Sequence, residues 1–267
     1  MSPAAGAARD LPYLISVFAL FTIPFVVHAV RVWRGVVRLP AAGPAGAGGR
    51  LFGPLFISYY YWMMRPIVRG LARTRVTPNQ VTMLTLVGAA AAAVAIATGH
   101  FALASALVVG GGTLDIVDGH LARTKNMATA AGAFLDSTID RICDGLVFGG
   151  CVVYYAGTPI MFVALAVLVL SFTVSYARTR GEMFGVTGTE GLMQRADRIA
   201  VLGISLALSS FFAHRAEGLV PHPFYAVTAG GLCLMAVLNA VTACRRIVWT
   251  VRQLRRRAAA PVLRARG

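Results

Sequence analysis

Charge is scarce in this chain. Only 13% of its 267 residues are Asp, Glu, Lys or Arg, while 57% are hydrophobic, and ten acidic residues face 25 basic ones. A soluble domain carries about 25% charged residues, so this composition, with a mean hydropathy of +0.70, excludes a water-exposed globular fold. The four cysteines (Cys143, Cys151, Cys233, Cys244) contain no CxxC pair, which removes zinc and dithiol motifs and leaves buried apolar packing as their expected role. No internal repeat of about 20–50 residues is visible, so a solenoid is also excluded.

What fills the sequence is apolar runs of about 20 residues, the length that crosses a bilayer as a helix. They predict six spans near 79–98, 101–121, 133–155, 158–179, 197–215 and 223–246, preceded by an extra span at 11–37. The arginines around that first run follow its apolar core rather than precede it, unlike a cleaved signal peptide, and so favour a retained span with its N-terminus outside.

The formal net charge of +15 is distributed by topology. In that orientation Arg31, Arg34, Arg38, Arg50, Arg65, Arg69, Arg73, Arg75, Arg123, Lys125, Arg141 and every arginine from Arg245 to Arg266 fall on the inner side, and only Arg9 and Arg215 outside. This is the positive-inside pattern of a membrane protein, and it argues against nucleic acid as the partner. The C-terminal Arg252, Arg255, Arg256, Arg257, Arg264 and Arg266 form a basic cytoplasmic tail suited to anionic headgroups.

Between the first span and the core, residues 39–50 form a Pro/Gly/Ala linker. Residues 51–73 follow, with Tyr59, Tyr60, Tyr61 and Trp62 ahead of Arg65, Arg69 and Arg73 at intervals of four. Aromatics and spaced arginines predict an amphipathic helix lying on the inner membrane surface. Thr77 and Pro78 then read as the cap and first residue of the next helix. The expected divisions are 1–50 (extra span and linker), 51–76 (interfacial helix), 77–250 (membrane catalytic domain) and 251–267 (basic tail).

Against so few charges, four aspartates stand out beside apolar runs: Asp115, Asp118, Asp136 and Asp140. A charged side chain at the centre of a bilayer-spanning helix costs about 2.5–3.5 kcal/mol on insertion scales, so such groups are retained for function. Asp115 and Asp118 are three apart and Asp136 and Asp140 four apart, so each pair shares a helix face. Gly119 and Gly132 remove side chains beside these pairs and allow close approach of a ligand. The residues alone predict a site for a polyanion and a hard divalent cation. A cation transporter or an inactive membrane scaffold is the non-enzymatic alternative.

Written as a pattern, the segment reads D-x-x-D-G-x-x-A-R, eight residues, then G-x-x-x-D-x-x-x-D, from Asp115 to Asp140. It resembles the signature of the CDP-alcohol phosphatidyltransferases, with every defining position occupied. That resemblance implies an all-α polytopic membrane enzyme, a homodimer, of the bacterial inner membrane with its site facing the cytoplasm. The implied reaction moves a phosphatidyl group from CDP-diacylglycerol to a polar alcohol or alcohol phosphate and releases CMP. The resemblance implies Asp115, Asp118, Asp136 and Asp140 as ligands of Mg²⁺ or Mn²⁺, and Asp140 as the base that deprotonates the acceptor. It also implies a nucleotide site of Asp115, Asp118, Gly119, Ala122, Arg123 and Gly132.

Two further stretches resemble the phosphatidylinositol-phosphate synthase branch of that family: Ser175-Tyr176-Ala177-Arg178-Thr179-Arg180-Gly181-Glu182 and Gly191-Leu192-Met193-Gln194-Arg195-Ala196-Asp197-Arg198. Arg178, Arg180, Arg195 and Arg198 would hold the phosphate of an acceptor such as inositol 1-phosphate, since guanidinium groups bind phosphate bidentately. Arg178 replaces that branch's lysine, and Gln194, Ala196 and Asp197 replace its Glu, Pro and Glu, so phosphatidylglycerophosphate synthesis stays the alternative. Among the remaining residues, Asp144 is expected in a local ion pair with Arg141, Glu182 in one with Arg178, and His120 at a variable surface. His28, His100, His214 and His222 are expected at interfaces without partners, and Gly149 and Gly150 at a small-residue contact between copies.

Overall fold

The computed structural model describes residues 24–36, 53–187, 191–213 and 225–264. All regular structure among the described residues is helical: α1 (24–33), α2 (Gly53–Ala72), α3 (Pro78–Ala97), α4 (Phe101–Thr124), α5 (Ala130–Tyr154), α6 (Pro159–Met183), α7 (Arg195–Ala213) and α8 (Ala226–Arg264). The first part of the expected N-terminal span (11–23), the linker 39–50, and the loop bearing His214, Arg215 and His222 lie outside the described residues.

Local sequence explains where these helices begin and end. Thr77 and Gln80 form a capping box at α3, with Gln80 Oε1 accepting from the Thr77 amide at 2.9 Å and Pro78 opening the helix. Thr129 caps α5 by accepting from the Gly132 amide at 3.0 Å, so α5 begins three residues earlier than the apolar run suggests. Gly99 and Gly157, at φ of 81° and 80°, supply the left-handed backbone that closes α3 and precedes α6.

The main helix contacts close a cycle, α3–α4–α7–α8–α6–α5 and back to α3. Small residues bring these helices close. A Cβ on Gly150 would stand 2.6 Å from the Ala93 carbonyl oxygen, so α5 lies directly on α3 there. Gly150 therefore serves packing within one chain, because a side chain there would run into the Ala93 backbone; a Cβ on Gly149 would meet nothing within 4 Å.

One end of the bundle is closed by aromatic rings. Phe101 and Tyr225 lie 4.0 Å apart, and the Tyr155 hydroxyl donates to the Tyr225 carbonyl at 3.0 Å. The aspartates occupy the opposite end. Outward faces carry exposed Val87, Val94, Val153, Phe162, Val169 and Val237, the surface expected against lipid rather than water. By length and composition, α3, α4, α6 and Ala226–Ala258 of α8 can cross a membrane. Helices α5 and α7 carry Asp136, Asp140, Arg141, Asp144, Arg195, Asp197 and Arg198 and are not among those four.

Several expectations are corrected by packing. Cys143 and Cys151 are buried, but Cys233 and Cys244 are exposed, because they occupy the outer face of α8. His28 is not partnerless: it is buried between α1 and α2, with Nε2 3.1 Å from Ser58 Oγ. His100 likewise has Nδ1 2.9 Å from Thr98 Oγ1. Helix α2 lays Met64 and Val68 against Val81, Val117 and Leu121, so it is anchored to α3 and α4. Helix α8 spans about 58 Å at 1.5 Å per residue. Beyond the bundle its Arg257 donates to the Phe184 and Gly185 carbonyls at 3.0 and 2.9 Å, satisfying the end of α6.

Candidate active site

Helix α4 contributes Asp115 and Asp118, α5 contributes Asp136 and Asp140, and the turn between them sets their register. Asn126 takes a left-handed φ of 54°, which Asn tolerates better than most residues. Lys125 Nζ donates to the Thr74 and Val76 carbonyls at 2.8 and 2.7 Å, tying the end of α4 to the chain entering α3.

Three of the four expected ligands converge. Asp115, Asp136 and Asp140 each offer a carboxylate oxygen, all within 4.8 Å of one another. Asp136 Oδ1 is buried with no hydrogen-bond partner, a costly condition that a cation would relieve. Asp118 turns the other way: it is buried and its Oδ2 accepts from Thr82 Oγ1 of α3 at 2.7 Å. Clustered hard oxygen donors suit Mg²⁺ or Mn²⁺, with coordination left for phosphate oxygens.

The residues expected on the nucleotide side sit on the same two helices as the cluster, Gly119, Ala122 and Arg123 on α4 and Gly132 on α5. Gly119 faces the Arg123 guanidinium, whose Nη1 would be 3.7 Å from an added Cβ. Gly132 sits under its cap, where a Cβ would meet Thr129 Oγ1 at 3.2 Å and Asn79 Oδ1 at 3.6 Å. Ala122 is half-buried and Arg123 exposed on the last turn of α4. His120, expected at a variable surface, stacks on Tyr61 of α2 with ring centroids 4.7 Å apart. Burial holds the Tyr61 phenol above its ordinary pKa, so its hydroxyl stays protonated.

The four arginines proposed for the acceptor take different settings. Arg178 pairs with Glu182 at 2.9 Å, as its spacing predicts. The Arg180 guanidinium lies 5.6 Å from the centre of the Phe184 ring. Arg195 enters the aspartate cluster, with Nη1 2.8 Å from Asp115 Oδ2 and 2.9 Å from Asp140 Oδ1. Arg198 is buried, with Nη2 2.8 Å from Asp144 Oδ2. Asp144 therefore pairs across helices with Arg195 and Arg198 rather than locally, while Arg141 lies 3.9 Å from Asp140.

Sequence reasoning missed Thr82 and gave Tyr61 and Arg246 only a place in the membrane topology. Each meets its partner across chain separations that spacing cannot reveal. Arg246 of α8 is buried and donates to the Val174 carbonyl at 2.8 Å, next to the segment that carries Arg178.

Residues 75–238 match the family model described as CDP-alcohol phosphatidyltransferase. A phosphatidylinositol phosphate synthase of Mycobacterium tuberculosis is 34% identical over 192 residues, covering 69% of this chain and 85% of the relative. An archaetidylinositol phosphate synthase of Methanothermobacter thermautotrophicus is 29% identical over 196 residues, covering 72% and 94%. Among solved structures, the M. tuberculosis phosphatidylinositol phosphate synthase with CDP-DAG bound superposes at a TM-score of 0.60 and 30% identity, covering 69% of this chain and 92% of that one. The same protein in complex with manganese and citrate gives a TM-score of 0.60 at 30% identity, covering 69% and 87%.

Proposed function

The chain belongs to the CDP-alcohol phosphatidyltransferase family, and from that premise we propose that it makes a phosphatidylinositol phosphate, taking inositol 1-phosphate as the acceptor of a phosphatidyl group from CDP-diacylglycerol. The observation that carries this reading is the convergence of Asp115, Asp136 and Asp140 within 4.8 Å, on the motif the family uses.

In this reading the acceptor hydroxyl oxygen bonds to the β-phosphorus of the CDP-lipid, the phosphorus–oxygen bond to the nucleotide breaks, and CMP departs with its electron pair. Asp140 takes the hydroxyl proton, and removing that proton at an aligned oxygen is its contribution. Asp115, Asp136 and Asp140 would hold Mg²⁺ or Mn²⁺, with Asp118 one turn from Asp115. When bound, such an ion offsets the charge of the diphosphate and makes phosphorus more electrophilic. Arg123 pairs with the diphosphate, and Gly119, Ala122 and Gly132 leave room for the nucleotide. Arg178, Arg180 and Arg195 hold the acceptor phosphate, and Arg198 supports them from behind through Asp144.

Helices α3 to α8 form a six-helix membrane core in this proposal, with α1 within an additional N-terminal span and α2 on the inner surface. Residues 77–250 are the catalytic domain, 1–50 and 51–76 its N-terminal additions, and 251–267 the basic tail. The N-terminus lies outside and the site faces the cytoplasm of a bacterial-type inner membrane, which the inner-side arginines support. Two copies form the working enzyme.

The test measures CMP release by purified protein in CDP-diacylglycerol micelles with Mg²⁺. Inositol 1-phosphate should be used well above free inositol and glycerol 3-phosphate. Preferential use of glycerol 3-phosphate would overturn the acceptor, and no release with any alcohol would overturn the reaction.

A further inference from the structure

Arg195 meets two kinds of carboxylate at once. Its Nη1 contacts Asp115 and Asp140 at 2.8 and 2.9 Å, and both belong to the group converging for a cation. Its Nε lies 3.3 Å from Asp144 Oδ1, one helical turn beyond the motif. The other oxygen of Asp144 is taken by Arg198 at 2.8 Å, and Arg198 is 1% exposed. Asp144 is thus held from behind by a buried cation while it holds Arg195 in front.

A guanidinium lodged between Asp115 and Asp140 and a divalent ion held by the same two carboxylates compete for one small space. Like charges at such distances repel strongly at low dielectric, and the ion carries twice the charge at shorter ligand distances. Arg195 must yield Asp115 and Asp140 to the ion, yet nothing displaces it from Asp144. Its donors form a rigid fork, so an Nη1 freed from the aspartates stays beside the site with an unmet need for an anion.

We propose that Arg195 is a tethered competitor for the divalent cation: Asp144, braced by Arg198, holds its Nε, and cation binding hands its Nη1 from Asp115 and Asp140 to the phosphate of the acceptor. Asp144 is then a positioning residue, acting through Arg195 without touching substrate. The consequence is order, with the cation binding before the acceptor phosphate. Only the identity of the acceptor rests on the function proposed above; the competition does not.

The experiment titrates full-length protein with Mn²⁺, following free Mn²⁺ by electron paramagnetic resonance without lipid or alcohol. R195Q should bind Mn²⁺ about tenfold more tightly, the size expected for removing one close, partly screened charge. R195K, which keeps the charge, should stay within about twofold of native. D144N should tighten Mn²⁺ binding in the native background, because an untethered Arg195 competes less, but should not do so in R195Q, where no competitor is left to release. Additive effects of D144N and R195Q would mean independent charges and overturn the tether. R195Q binding Mn²⁺ no tighter than native, or not at all while R195K binds normally, would overturn the competition. A protein that shows the coupling but releases no CMP with inositol 1-phosphate keeps this inference and loses the acceptor.

Discussion

Thr82 of α3 donates its hydroxyl to Asp118 Oδ2 across 2.7 Å, and both side chains are buried. This bond joins a helix outside the aspartate motif to a residue within it, and it orients the one motif carboxylate that turns away from Asp115, Asp136 and Asp140. Thr82→Val keeps the shape and removes the donor. Loss of a hydrogen bond to a buried charge costs about 1.5–3 kcal/mol, so thermal unfolding in detergent should fall accordingly and CMP release should drop. Thr82→Ser, which keeps the hydroxyl, should recover most of both.

Asp136 carries a buried oxygen without a partner, beside two other carboxylates. Asp136→Asn removes the charge that repels its neighbours. The variant should lose Mn²⁺ binding and CMP release while unfolding at or above the native temperature, since site residues are held at some expense of stability. Chelation of native protein should likewise stop CMP release, and added Mg²⁺ should restore it.

Asp140→Asn should lower CMP release by about 10²–10⁴-fold, the contribution of general acid–base catalysis, with helical circular dichroism unchanged. Release persisting near the native rate would move the base to another residue.

Arg198 and Asp144 form an ion pair with almost no solvent access. Arg198→Met leaves the buried Asp144 carboxylate with Arg195 alone as its partner and should destabilise the protein by about 1.5–3 kcal/mol in chemical unfolding, the loss of a hydrogen bond to a charged group. The double variant Asp144→Asn with Arg198→Met should regain part of that loss, because the carboxylate that lost its partner is no longer charged.

Gly150 and Gly149 are adjacent but opposite in role. Gly150→Ala drives a methyl group into the Ala93 carbonyl and should cost about 1–3 kcal/mol as α3 and α5 part. Gly149→Ala meets nothing within 4 Å in one chain and should leave the unfolding temperature of the monomer unchanged.

Helix positions were legible because bilayer-length apolar runs and terminal caps are local signals. Thr77 with Gln80, and Pro78 after it, mark the start of α3 in four adjacent residues. The spacing of Glu182 four residues after Arg178 was enough to anticipate their pairing. Asp144 was misread for the opposite reason: Arg141 is near in sequence, but Arg195 and Arg198 reach it across separations of 51 and 54 residues. His28 and the exposed Cys233 and Cys244 failed similarly, since burial depends on which neighbour a helix face meets.

The sequence by itself determined an all-helical chain rich in membrane-length runs, the capped start of α3, and a motif whose carboxylates recur on shared helix faces. Periodicity and capping act within a few residues and need no tertiary partner. Only the tertiary structure decided that Asp118 turns to Thr82, that Asp136 keeps an unpaired oxygen, and that Arg195 stands among the aspartates. Those outcomes depend on which side chains four separate helices bring within a few ångströms, and no spacing along one helix encodes that.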